Sequence, residues 1–195
     1  MEKEFYLIAG FGNPGREYRN TRHNVGFRLI DSVVSEFNTK LTKVQFKAMT
    51  GTIELDNARI ILAKPQTFMN LSGQAVASLM RFYKIPLDKV LVAHDDIDLP
   101  LGTIRIRPGG GSGGQKGLAS TIEKLGTQDF PRMRIGIGRP SGSQEAAGYV
   151  LQEFSNSDEK VLQDVLPQAV EAIKVFVADG LEAAMTRYNG NITKE

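Results

Sequence analysis

Apolar positions recur along this chain with two different periods, and the period predicts the element. Phe5–Ala9 is an unbroken apolar run of strand length, the pattern of a strand buried on both faces. Within Val25–Phe37, Leu29, Ile30, Val33, Val34 and Phe37 fall at helical spacing, with Asn24 standing where an N-cap belongs. Gln45–Leu55 and Ala58–Ala63 read as a strand pair turned at Asp56-Asn57. Ser72–Tyr83 is a second amphipathic helix carrying Val76, Leu79, Met80 and Tyr83 inward, with Asn70 or Ser72 as its cap. Lys89–Ala93 is a short apolar strand that ends at His94-Asp95-Asp96. Thr103–Arg107 alternates apolar and basic positions, so Arg105 and Arg107 share a face. Leu118–Leu125 follows as a short helix and Met133–Gly138 as a strand.

The last third is helical. Val161, Leu162, Val165, Leu166, Ala169, Val170, Ile173 and Phe176 form one stripe over Asp158–Asp179, stopped by Gly180 at the C′ position. Pro167 lies inside that stripe and is expected to kink or divide the helix. A final short helix covers Leu181–Tyr188. Strands alternating with helices predict an α/β fold: a twisted, mixed and mostly parallel sheet flanked by helices, with C-terminal helices. No linker or internal repeat divides the chain, so a single domain over 1–195 is expected.

Composition narrows the class. The chain has 195 residues, enough for one well-buried domain, and its 41% hydrophobic and 24% charged content is that of a globular protein. No apolar run is long enough to cross a bilayer. Met1-Glu2-Lys3-Glu4 passes directly into the first strand, so no signal or transit peptide is expected. The absence of cysteine rules out disulfides and thiolate metal sites, and suits a reducing cytoplasm. The net charge of +2 conceals an asymmetry: Pro100–Pro140 carries a local +5, whereas the chain from Ser141 onward carries −5. A glycine-rich basic stretch beside an acidic tail suggests a polyanion met by one face.

Several motifs carry candidate chemistry. Gly10-Phe11-Gly12-Asn13-Pro14-Gly15 matches the dinucleotide pattern in letters, but no helix with an apolar face opens at its third glycine, and no acidic residue follows at the required distance. Pro108–Gly117 resembles a phosphate loop in composition, without the Gly-Lys-Ser/Thr order. Loop N–H groups facing a substrate remain open there. His94-Asp95-Asp96-Ile97-Asp98 admits a metal reading, although the two histidines of the chain stand far apart. It also reads as a solvated turn, or as a carboxylate at the end of a strand that could orient an imidazole arriving from the first strand. That imidazole is His23, in the polar run Thr21-Arg22-His23-Asn24, a residue type able to take a proton near neutral pH.

Six blocks stand in one order: Gly12-Asn13-Pro14-Gly15, Thr21-Arg22-His23-Asn24, Phe68-Met69-Asn70-Leu71-Ser72-Gly73, His94–Pro100, the glycine loop, and Arg134-Ile135-Gly136-Ile137-Gly138-Arg139-Pro140. In that order and spacing the chain resembles the bacterial-type peptidyl-tRNA hydrolases over essentially its whole length. The resemblance implies hydrolysis of the ester between a peptide's carboxyl end and the terminal ribose of tRNA, by a monomeric cytoplasmic enzyme without metal or cofactor. It makes His23 the catalytic base and Asp95 its orienting acid. Asn13, Tyr18, Phe68, Met69, Asn70 and Lys116 fall at the substrate, and Arg105, Arg107 and Arg134 at the tRNA. Most members read His-Asn where this chain has Gln115-Lys116, and a charged lysine accepts no hydrogen bond. Lys116 could instead offer a cation to the oxyanion or to a phosphate. A non-catalytic RNA-binding protein of the intron-splicing kind, on the same scaffold, is the alternative.

Overall fold

In the computed structural model, which describes residues 3–193, strand and helix alternate along most of the chain. Met1 and Glu2 of the N-terminal run, and Lys194 and Glu195 of the acidic tail, lie outside the described residues. The first half comprises β1 (Glu4–Gly10), α1 (Val25–Glu36), β2 (Lys43–Gln45), β3 (Ala48–Leu55), β4 (Ala58–Pro65) and α2 (Ser72–Phe82). The second comprises β5 (Val90–Asp96), β6 (Thr103–Arg107), α3 (Lys116–Leu125), β7 (Arg132–Gly136), α4 (Ala146–Val150), α5 (Asn156–Asp179), α6 (Leu181–Tyr188) and β8 (Gly190–Asn191).

The strands form one eight-stranded sheet in the order β2-β3-β4-β1-β5-β7-β6-β8. Its centre, β4-β1-β5-β7, is parallel, and antiparallel partners extend both edges. Helices cover both faces, which is why the central strands are apolar at consecutive positions. Tyr6 and Ile8 of β1 pack toward α1, α5 and α6, while Leu7 and Ala9 pack toward α2 and α3. Each fully buried Leu or Ile in these two layers contributes about 1.5–3 kcal/mol.

Four local expectations are corrected. The run Gln45–Leu55 is two strands, because Phe46 and Lys47 adopt positive φ (49° and 60°) and turn the chain between Gln45 and Ala48. Such a turn ordinarily calls for glycine or asparagine, so its residues hid it. Pro167 does not divide α5, which runs unbroken from Asn156 to Asp179. Gln163 and Pro167 both lie on the exposed side, so the carbonyl that loses its N–H partner stays within reach of water. Asn24 occupies the N-cap position of α1 without capping it: its side chain is engaged by Asn13. Neither Asn70 nor Ser72 caps α2; the Ser72 hydroxyl donates to the Met69 carbonyl at 2.8 Å. The short helix α4 and strand β8 gave no periodic signal. The end of β6 is held by a side chain, since the Asn189 amide accepts from the Ile106 N–H (2.6 Å) and donates to the Ile106 carbonyl (3.1 Å).

The register brings Gly10 of β1 level with Ala93 of β5 at the carboxyl edge of the sheet. The start of α1 presses against this edge. A Cβ on Gly26 would lie 2.4 Å from the Phe11 nitrogen and 2.6 Å from the Ala93 oxygen, both backbone atoms that cannot yield. Gly26→Ala should therefore cost about 1–3 kcal/mol or more by overpacking, read as a lower urea midpoint at unchanged m. A midpoint equal to wild type would show that α1 is free to lift away from the sheet.

Candidate functional site

Four connections meet at the carboxyl edge of the sheet, the position where ligand-binding groups collect in open α/β folds. They are the Phe11–Asn24 segment after β1, the Phe68–Leu71 turn after β4, the end of β5, and the start of α3. Between them lies a cleft of about 610 Å³. Asn13, His23, Met69, Asp95 and Gln115 line its floor side, with Phe68, Asn70 and Lys116 exposed around it. Ala146, Ala147, Val150 and Leu151, from α4 and just beyond it, form an apolar wall.

His23 sits in a single 3-10 turn, Arg22–Asn24, that runs into α1. Its Nδ1 lies 2.8 Å from the Asp95 Oδ2, and the Asp95 side chain is 3% exposed. An ionised carboxylate only accepts, so the imidazole must donate from Nδ1, leaving Nε2 as its basic nitrogen. The other carboxylate oxygen, Oδ1, accepts from the Gln115 Nε2 at 3.0 Å. The loop behind His23 is fastened as firmly. The Asn13 backbone N–H donates to the Asn24 Oδ1 and the Asn13 carbonyl accepts from the Asn24 Nδ2, both at 2.9 Å. The Asn13 Oδ1 in turn takes the Met69 N–H at 2.8 Å, which leaves the Asn13 NH2 as a donor.

Arg22, next in the chain to His23, carries the apolar wall. Its guanidinium lies 4.3 Å from the Tyr149 ring centroid and donates to the Glu153 carbonyl at 2.8 Å. The Tyr149 hydroxyl donates to the Ile137 carbonyl at 2.8 Å. The sequence had marked none of Arg22, Asn24 and Gln115 for a site role, and only a hydrogen-bonding pattern in space reveals them.

The other expected residues divide into two groups. Tyr18 stands outside the cleft lining, edge-on to Phe68 at 6.4 Å between centroids. Arg105 and Arg134 face each other across β6 and β7, and the Arg134 Nε is 2.6 Å from the Asp96 Oδ2. Arg107 and Arg134 line a second recess of about 600 Å³ with His94, Arg132 and Gly109–Gly113. The glycine loop is anchored through the buried Arg132, which donates to the Gly110 oxygen (2.5 Å) and, beyond the loop, to that of Gln128 (2.6 Å). No helix opens at Gly15; a 3-10 turn, Arg16–Tyr18, follows instead, so the dinucleotide geometry is not formed. Among the described residues no three His, Asp or Glu side chains converge as a metal site.

Comparison with known proteins gives one consistent answer. The family model described as peptidyl-tRNA hydrolase matches residues 7–195. Over 183 residues the chain is 49% identical to the peptidyl-tRNA hydrolase of Desulforamulus reducens, covering 94% of this chain and 88% of that protein. It is 46% identical over 184 residues to the peptidyl-tRNA hydrolase of Carboxydothermus hydrogenoformans, covering 94% and 98%. Against the chloroplastic peptidyl-tRNA hydrolase of Arabidopsis thaliana it is 46% identical over 185 residues, and it spans 64% of that protein's length. The crystal structure of peptidyl-tRNA hydrolase from Acinetobacter baumannii superposes with a TM-score of 0.88 at 32% identity, covering 97% of this chain and 98% of that one.

His94, the second histidine, is 2% exposed, and its Nδ1 is bonded to the Asp95 carbonyl at 2.8 Å. Burial holds its imidazole below the ordinary value of 6.5, so the unfolded chain takes up this proton first. The contribution to stability is then complete above about pH 6.5 and shrinks as the pH falls. Urea midpoints measured from pH 7.5 down to 5.5 should fall less steeply in His94→Gln than in wild type, and equal slopes would show that His94 charges without cost.

Proposed function

Because this chain belongs to the peptidyl-tRNA hydrolase family, we propose that the cleft hydrolyses the ester between a peptide's carboxyl end and the terminal ribose of tRNA, with His23 activating the water. The observation that carries this reading is the 2.8 Å contact between the His23 Nδ1 and a buried carboxylate. It fixes the tautomer, so Nε2 presents its lone pair to the cleft side. Nε2 takes a proton from water as the water oxygen bonds to the acyl carbon. Negative charge collects on the carbonyl oxygen. The tetrahedral species then expels the ribose oxygen, which takes the proton back from Nε2. The products are a free peptide acid and a tRNA with its terminal hydroxyl restored.

General-base catalysis of this kind supplies roughly 10²–10⁴-fold. The Asn13 NH2, its oxygen already committed to Met69, is placed to donate to the oxyanion, and Asn70 offers a second amide at the rim. Loss of one such donor costs about 3 kcal/mol in comparable sites. Phe68, Met69 and the α4 wall receive the peptide through apolar contact, without demanding one side chain. Lys116 adds a cation at the cleft rim, for the oxyanion or a phosphate. Arg105, Arg107 and Arg134 lie on the same side of the sheet as α3 and bind the tRNA backbone. The enzyme works in the cytoplasm as a monomer, as one domain, and without a metal.

His23→Ala should abolish ester release from a blocked aminoacyl-tRNA while leaving tRNA binding near wild type, and wild-type release should survive a chelator. Turnover retained by His23→Ala would remove the mechanism. Binding without turnover in wild type would instead favour a non-catalytic RNA-binding role. Affinity should fall with salt, and replacing Arg105 and Arg107 together with serine should reduce the magnitude of the log–log salt slope by roughly 1–2. An unchanged slope would place the tRNA face elsewhere.

A further inference from the structure

The carboxylate that steers His23 is itself steered, and from the first residue before α3. Gln115 stands at the N-cap of that helix, where its Oε1 accepts the Leu118 N–H at 2.7 Å. An amide whose oxygen is committed in this way must point its NH2 elsewhere. Here Nε2 donates to the Asp95 Oδ1 at 3.0 Å and also contacts the Met69 Sδ at 3.3 Å. Asp95 therefore accepts from Gln115 on one oxygen and from His23 on the other.

We propose that Gln115 is a positioning residue for hydrolysis: the helix N-terminus fixes its amide, and its amide fixes the plane in which Asp95 meets His23. The proposal rests on the reading of His23 as the base. A carboxylate held by His23 alone could rotate about its terminal torsion, because that torsion is broad. With both oxygens bonded, rotation breaks two hydrogen bonds at once around a carboxylate that is itself buried. An amide does not titrate in the working range, so this brace is constant while the imidazole gains and loses its proton. It also competes with the ring for the carboxylate's negative charge, and a variant without the donor leaves that charge to the ring. The charged and titratable groups about the pair are few: Arg22 precedes His23 and is held by the Glu153 carbonyl and Asp158, His94 precedes Asp95 on β5, Lys116 follows Gln115 on α3, and Asp96 at the cleft edge is paired with Arg134. No residue of α4 that lines the cleft is charged.

Two substitutions separate this role from helix capping. Gln115→Thr keeps a capping oxygen but is too short to reach Asp95. Gln115→Glu keeps the capping oxygen and replaces the donor with a negative charge. Gln115→Thr should unfold at a urea midpoint close to wild type, whereas Gln115→Glu, which sets a second carboxylate beside the buried Asp95, should unfold at a lower one. Gln115→Thr should lower kcat about 10- to 100-fold with little change in KM, the scale of a misplaced catalytic group. The acidic limb of its kcat/KM profile should move to higher pH. Gln115→Glu should move that limb further, since the added charge favours the imidazolium. Gln115→His, which restores an N–H donor of similar reach, should recover much of kcat. The proposal is overturned if Gln115→Thr keeps kcat within about twofold of wild type with its pH profile unmoved, or if any loss only follows the folded fraction. Measured beside them, His23→Ala tells the two readings apart. A silent His23→Ala with an active Gln115→Thr defeats this inference alone, whereas an active His23→Ala defeats the reading beneath it.

Discussion

The arrangement depends on how closely one helix start approaches one sheet edge. Gly26 of α1 lies so near the Phe11 and Ala93 backbones that no Cβ fits between them. That approach sets the Arg22–Asn24 turn over the end of β5, and the 2.8 Å contact between His23 and Asp95 follows from it. A hydrogen bond of this kind tolerates a few tenths of an ångström. Its two partners are 72 residues apart in sequence, so only a rigid junction between their elements holds them within that tolerance.

Around this junction, side-chain amides act as two-ended ties. Asn24 holds both backbone groups of Asn13, Asn13 reaches on to Met69, and Gln115 joins Asp95 to the start of α3. Each amide has its oxygen engaged, so each has one permitted orientation, and of the three it is the Asn13 NH2 that is left over as a donor. Neutral ties of this type carry no Born penalty, which makes them suited to a floor where a lone extra charge would be expensive. The outer parts of the cleft differ. Phe68 and Leu151 are 58% and 47% exposed, and Asn70 and Lys116 are exposed beside them; on the proposed reading they give broad contact to a variable peptide. Tight inner geometry and permissive outer contact suit an enzyme that must cleave one bond in many substrates.

The charge asymmetry of the chain becomes an asymmetry of faces. Arg105 and Arg107 alternate with Ile104 and Ile106, whose side chains join the core beneath α5 and α6. The arginines consequently emerge on the other side of the sheet, together with Arg134 across the β6–β7 pairing. The acidic C-terminal segment supplies Asp158 and Glu159, which pair with Arg22 and Arg28 to fasten α5 to the first helix. The Arg28 guanidinium, bonded to Glu159 at 2.7 and 2.8 Å, holds that carboxyl below its usual range. The basic residues thus gather on one side, the side proposed to meet the tRNA, while the acids opposite are partly consumed in holding the structure together.

The periods of the chain were enough to place the central strands, the amphipathic helices and the Asp56-Asn57 turn. Burial is periodic, and periodicity is a local property that a single stretch of residues reveals. Motifs at the ends of two strands, together with the family resemblance, marked His23 and Asp95 as a pair, through the chemistry of imidazole and carboxylate. The turn at Phe46-Lys47, the uninterrupted passage of α5 through Pro167, the engagement of Asn24 by Asn13, and the brace from Gln115 to Asp95 were not legible in the same way. Each turns on where a backbone group or an amide finds its partner. That choice is made by elements distant in sequence, once packing has brought them within the roughly 3 Å that a hydrogen bond requires.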